Sequence, residues 1–168
     1  MSWQPQNQVI DEKKLIDNLL SFFRANQSSA LDWAAGGVGA LKDFARLHNS
    51  ATGRVDTVFP VLMISSTRLV TTFDSDLLEA AWFVEIELAV AAARADEATE
   101  KSHKYVQAVE SMLANIPSGT LCAGSRALQF AALERLSSEF DVLRRRSANE
   151  FLQIAVIGAE FTLRAASY

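Results

Sequence analysis

The chain has 168 residues, 49% of them apolar and 21% charged, with a net charge of −4 at pH 7. That length suits one domain with one hydrophobic core, and the apolar share excludes a disordered chain. The negative balance argues against a general nucleic-acid binder, which needs clustered Lys and Arg to neutralise phosphates.

Residues 1–10 read as a flexible polar arm before a single α+β domain over 11–168. Asp11 is placed to cap a helix, with Glu12 near the positive end of the dipole. Ile16, Leu19, Leu20 and Phe23 follow at helical spacing, so the pattern predicts an amphipathic helix from Asp11 to Ala25, broken by Asn26, Gln27, Ser28 and Ser29. Gly36, Gly37 and Gly39 oppose one continuous helix over Leu31–Asn49, since each Gly costs ~1 kcal/mol against Ala. A loop followed by a short helix from about Ala40 to Leu47 is expected there. Ser50–Asp56 reads as a turn.

Val58–Ser65 reads as a strand, with Pro60 at its start or on an edge because proline cannot donate to a ladder. The polar stretch Thr67–Asp76 is expected to be a long loop or hairpin connection. In the next segment Trp82, Val84, Ile86, Leu88 and Val90 alternate with Phe83, Glu85, Glu87 and Ala89. A period of two puts the five apolar side chains on one face and both glutamates on the other, which predicts a strand from about Ala80 to Ala91. Asp96 then caps a helix whose stripe runs from Ala98 through Tyr105, Val109 and Leu113 to Ile116 and stops at Pro117-Ser118-Gly119. Ala127–Phe140 fits a helix through Leu128, Ala132, Leu136 and Phe140, or a strand. Phe151–Arg164 reads as a strand with Leu152, Ile154 and Val156 on one face and a bulge at Gly158 bringing Phe161 and Leu163 to the same face. The fold class expected is α/β of the α+β type: a mixed, largely antiparallel sheet of about four strands with two long helices packed on one face.

Chemistry-bearing residues are few. Cys122 is the only cysteine, so no internal disulfide forms; it has no nearby His in sequence and reads as a small buried residue. His103 lies off the apolar stripe of its helix, and His48 closes a predicted helix. Glu85 and Glu87 point the same way from one strand, but no His or Asp at ligand spacing accompanies them. Asp74 and Asp76 resemble part of a calcium loop without its Gly and closing Glu. The cluster Arg144-Arg145-Arg146, beside Glu139, Asp141 and Glu150, reads as a solvated loop. Met1–Asn7 lacks the basic and apolar parts of a signal peptide, and no apolar run reaches the ~18 residues of a membrane span, so cytoplasmic synthesis is the default.

The organisation resembles the tail-terminator (tail-completion, head–tail joining) proteins of long-tailed bacteriophages. The residues that carry the resemblance are the early helix with Leu15-Ile16-Asp17-Asn18-Leu19-Leu20, a strand opening Phe59-Pro60-Val61-Leu62-Met63-Ile64, and the alternating strand Trp82–Val90. That strand leads through Ala95-Asp96 into a helix with Tyr105-Val106-Gln107-Ala108-Val109, and the chain finishes on Leu152-Gln153-Ile154-Ala155-Val156. The insert Leu31–Asn49 and the stretch Leu121–Asn149 depart from that pattern.

The resemblance implies a structural virion protein of the tail or neck, made in the host cytoplasm. It would form a ring, typically a homo-hexamer, that caps the tail tube and meets the head connector, with DNA passing through the lumen. It implies no enzyme activity, no cofactor and no metal. The expected subunit-interface residues are Phe83, Glu85, Glu87, Arg68, Asp74, Asp76, Arg144, Arg145 and Arg146, with Trp3 and Trp33 as possible aromatic anchors. Two other readings stay open on sequence alone: a small non-viral adaptor domain that self-associates, and an enzyme using Cys122 or the Glu85/Glu87 pair.

Overall fold

A computed structural model describes residues 10–49, 58–73, 77–125 and 127–166. The elements follow in the order α1 (Glu12–Ala35), β1 (Arg46–Asn49), β2 (Val61–Phe73), β3 (Leu77–Ala92), α2 (Ala95–Ala114), α3 (Ser118–Cys122), β4 (Leu128–Phe140), β5 (Arg144–Ser147) and β6 (Glu150–Ala166). The six strands form one sheet in the order β1-β2-β3-β6-β4, with β5 also paired to β6. Only the β1–β2 pair is parallel; every other ladder is antiparallel. The mixed, largely antiparallel sheet is thus as expected, but it has six strands, not about four, and a third, short helix stands beside the two long ones.

β3 is the centre of the sheet, and its two-residue rhythm does what the sequence promised. Leu78, Ala80, Trp82, Val84, Ile86, Leu88 and Val90 are all buried on the side that carries the helices. On β6 the matching positions are Ala165, Leu163, Phe161, Ala159, Ile157, Ala155 and Gln153. The helices meet this surface with Leu19, Phe23 and Leu31 of α1 and with Tyr105, Val109 and Leu113 of α2, forming one core. Burying a Leu, Ile or Phe side chain of this kind contributes ~1.5–3 kcal/mol. Tyr105 adds a polar tie, donating its hydroxyl to the Lys42 carbonyl at 2.6 Å, and burial pushes that hydroxyl up to about 12.

Several expectations need correction. α1 does not break at Asn26–Ser29. Those polar side chains turn outward, and three of them bond to nearby groups: Asn26 to the Phe22 carbonyl, Gln27 to the Phe44 amide and Ser28 to Asp43. The helix therefore continues to Gly36, whose φ of 70° ends it in the left-handed cap that glycine allows. No helix forms over Ala40–Leu47. Leu41 and Phe44 are buried, Phe44 against Tyr105 at 5.4 Å between ring centroids, and Arg46–Asn49 becomes β1.

Thr67–Phe73 is strand, not loop, because Thr, Val and Phe suit a ladder and pair with β3 out to Phe73↔Leu78. Pro60 precedes β2, as its missing donor requires. Asp96 sits in the first turn of α2 and pairs with Arg94, the capping residue, at 2.5 Å. Ala127–Phe140 resolves as β4. The arginine cluster is strand β5 instead of a loop. The Ser50–Asp56 turn and the arm 1–9 lie outside the described residues.

The strand over Phe151–Arg164 is present as β6, with Phe161 and Leu163 facing the core as expected, but the facing of its first half is reversed. The β3–β6 register runs without a shift through Glu85↔Gly158, so no bulge separates Ile154 from Phe161 in that ladder. Leu152, Ile154 and Val156 face away from the helices, while Ala155, Ile157 and Ala159 face the core. Gly158 answers a different need: a Cβ there would lie 2.8 Å from Ser137 Oγ on β4.

Candidate subunit interface

All three helices pack on one side of the sheet, and no described helix covers the other. The register assigns the residues of this bare face row by row. Thr72, Glu79, Arg164 and Phe130 make one row; Val70, Ala81, Thr162 and Ala132 the next. Then come Arg68, Phe83, Glu160 and Arg135, followed by Ser65, Glu85, Gly158 and Ser137, and then Met63, Glu87, Val156 and Glu139. Near the far end, the Arg146 guanidinium lies 4.9 Å from the Phe59 ring centroid.

The charges on this face are partly matched. Arg164 Nε bonds Glu79 Oε1 at 2.9 Å and its guanidinium lies 5.5 Å from the Phe130 ring centroid. Arg135 approaches Glu160 at 3.8 Å. Arg68 lies over Phe83, 5.6 Å from its centroid, with no carboxylate beside it among the described residues. Glu85, Glu87 and Glu139 have no ion-pair partner among the described residues either. Between these rows, over Gly158, lies a depression of about 210 Å³ bordered by Thr67, Phe83, Glu85, Arg135, Ser137 and Glu160. Such a surface can accept a neighbour's guanidinium or ammonium group at its free carboxylates and apolar side chains around Phe83.

Of the residues singled out in the sequence, the structure brings Arg68, Phe83, Glu85 and Glu87 together in three successive rows of the bare face. Arg144, Arg145 and Arg146 stand at the opposite end of the sheet from Phe73 and Leu77 and are occupied by their own hairpin. Arg144 pairs with Asp141 at 2.6 Å and Arg146 with Glu150 at 3.4 Å, while Arg145 donates to the carbonyls of Ser147 and Ala148. The Val142 amide and then Arg144 hold the Asp141 carboxyl below the ordinary range. Asp74, Asp76 and Trp3 lie outside the described residues. Trp33 is 60% exposed at a groove between α1 and α2 that also includes Phe22, Met112 and Pro117.

The residues the sequence did not single out are Glu79, Phe130, Arg135, Glu139, Glu160 and Arg164. Their signal is the alternation along the strands: Glu79 lies just before the stretch of β3 that the pattern predicts, bulges in β4 mask Phe130, Arg135 and Glu139, and Glu160 and Arg164 alternate with Phe161 and Leu163 on β6.

The remaining reactive groups are scattered. His103 is exposed and stacks on Phe140 at 4.2 Å; His48 lies in β1 with Nδ1 3.1 Å from the Asn49 carbonyl, not at a helix end. Cys122 is half-buried at the end of α3, and burial pushes its thiol up. Its thiolate fraction at pH 7.5 is therefore smaller than that of a free thiol. Iodoacetamide should alkylate Cys122 more slowly than glutathione at that pH, with the gap closing in denaturant; equal rates in the native protein would contradict this environment. Among the described residues no cluster of three or more His, Cys, Asp or Glu is arranged to hold a metal.

The fold and the site together define a helix-backed α+β domain with a bare, charge-bearing sheet face. No family model matches the chain, and no curated protein matches it. Among solved structures it is similar to a chain of the virion of a native gene transfer agent particle, at 15% sequence identity over 95% of this chain and 98% of that one, with a TM-score of 0.49.

Proposed function

We propose that this chain is a structural virion protein, a subunit of a homo-oligomeric ring that caps a phage tail tube and joins it to the head connector, without catalysis. The observation that carries the reading is the one-sided sheet. Among the described residues, the six-stranded sheet is backed by helices on one side only, and its other side bears half-exposed aromatics and carboxylates without an ion-pair partner. Exposed surface of that extent is characteristic of protein contact. The tail-terminator resemblance supplies the kind of neighbours: its own copies, the tube protein and the connector.

The charge balance of the bare face suits a protein neighbour. Five carboxylates (Glu79, Glu85, Glu87, Glu139, Glu160) stand against three guanidiniums (Arg68, Arg135, Arg164) in the rows above. A face of that balance would not hold phosphates, which favours protein neighbours over nucleic acid. The test is tube assembly. Added to polymerising tail tube protein of its own phage, the chain should stop elongation at sub-stoichiometric amounts and appear at tube ends in electron micrographs. Unchanged tube lengths at saturating concentration would overturn the reading.

A further inference from the structure

The two edges of the sheet carry the next step, which rests on the ring reading above. β1 covers β2 only over Val61–Ile64, so from Ser65 to Phe73 the outer side of β2 has no partner strand among the described residues. β4 pairs with β6 along one side over Leu128–Phe140 and has no described strand on the other. Neither stretch contains Pro or Lys, residues that commonly protect an edge from pairing. Each offers a row of backbone donors and acceptors to another strand.

The direction of these edges follows from the ladders. β2 is antiparallel to β3, β3 to β6 and β6 to β4, so β2 and β4 run in opposite directions. A second copy placed beside the first in the same orientation, by rotation alone, brings its β2 against the first copy's β4 as an antiparallel pair. That contact is heterologous, and repeating it generates a ring when the rotation closes.

Register is set by the bulges and the charges. β2 is irregular between Ser66 and Arg68, and β4 is irregular up to Arg135, which leaves Arg68–Phe73 and Arg135–Phe140 as the regular stretches. Joining the two sheets without a shift would set Arg68 directly against Arg135, since both belong to the Phe83–Glu160 row. Like charges directly opposite are destabilising. Sliding β4 by four residues keeps every side chain on its own face, uses only the regular stretches, and sets Arg68 against Glu139, Val70 against Ser137 and Thr72 against Arg135. Arg68 and Glu139 each lack an ion-pair partner among the described residues; Glu134, the other such carboxylate on β4, stands at the irregularity between Leu133 and Arg135, outside the regular stretch. A stagger between strands of this kind is what closing a sheet into a ring requires.

We propose that neighbouring copies join β2 to β4 as a continuous antiparallel sheet, with Arg68 of one copy paired to Glu139 of the next. Light scattering and charge exchange test it. R68E and E139R should each raise the concentration at which the assembly half-dissociates by at least tenfold, and the combined R68E/E139R protein should recover most of that loss. In a C122S background, V70C/S137C should oxidise into a ladder of covalent multimers. Within one chain these positions lie on β2 and β4, three strand spacings (roughly 14 Å) apart across the sheet and two rows apart along it, beyond disulfide reach.

Ring-sized wild-type protein whose mass is insensitive to R68E and E139R, with no ladder from V70C/S137C, would overturn the seam and leave the ring standing. Wild-type protein that stays monomeric both free and on tube ends would overturn the ring, and the seam with it.

Discussion

Replacing Trp82 with alanine is expected to lower the unfolding free energy by about 3–5 kcal/mol, the largest loss for a single site in this chain. Trp82 is fully buried at the centre of β3, its ring 5.5 Å from that of Phe161 on β6, so truncation opens a cavity between the sheet and the helices. Its indole also holds a polar chain. Nε1 donates to Ser66 Oγ at 2.8 Å, and Ser66 donates to Glu12 Oε2 at 2.6 Å. Ser66 flanks the β2 bulge and Glu12 opens α1, so one side chain ties the irregular point of an edge strand to the first turn of the helix above it. Trp82→Phe keeps part of the apolar contact but loses the donor and leaves a smaller cavity, at about 2 kcal/mol. Urea unfolding followed by far-ultraviolet circular dichroism separates the two variants; a Trp82→Ala loss below about 1.5 kcal/mol would mean the sheet is not packed around this residue.

The same residue shows why some of this fold was legible and some not. β3 was readable because it is central and one of its faces lies wholly under helices, which enforces strict alternation from Leu78 to Val90. α2 was readable because its stripe from Ala98 to Leu113 is uninterrupted. β4 defeated the same reasoning for a physical reason. Its core-facing residues are Leu128, Ala131, Leu133, Leu136 and Phe140, and irregularities at Leu128/Phe130 and Leu133/Arg135 stretch the steps between them from two residues to three. A strand with two such irregularities imitates the three- and four-residue spacing of a helix.

β6 misled in a different way. Leu152, Ile154 and Val156 form an unbroken apolar set, whereas the positions that actually face the core begin with the polar Gln153 and the small Ala155, so hydrophobicity pointed to the wrong side. The small residues there lie beneath α2, and the larger ones occupy the bare face. That reversal hid Val156, which the register places between Glu87 and Glu139 on the bare face. β5 has no apolar rhythm at all. Its three arginines are held in strand by pairing with β6 and by bonds to their own hairpin, which composition does not announce.

The far half of α1 provides the sharpest test of a place where local signals and tertiary packing disagree. The run Asn26-Gln27-Ser28-Ser29 has poor helix propensity, and in an isolated peptide it would fray. The structure keeps it helical by burying Leu31 completely, two residues beyond the polar run, in the same core as Leu19 and Phe23. Helical continuity across residues 26–30 therefore depends on that anchor. Leu31→Ala should cost about 3 kcal/mol, within the range for a leucine truncated in a packed core.

Unlike an ordinary cavity, the Leu31→Ala loss should be accompanied by local unwinding. Without Leu31, the residues from Asn26 to Ala35 gain little from remaining helical, and the side-chain bonds from Gln27 to the Phe44 amide and Ser28 to Asp43 loosen with them. Hydrogen exchange in Leu31→Ala should accelerate at amides 27–35 and at Phe44 while remaining slow at Leu19–Phe23. Uniform acceleration along the whole of α1 would show instead that the helix is one cooperative unit held from its first half, and that the polar run is no weak point.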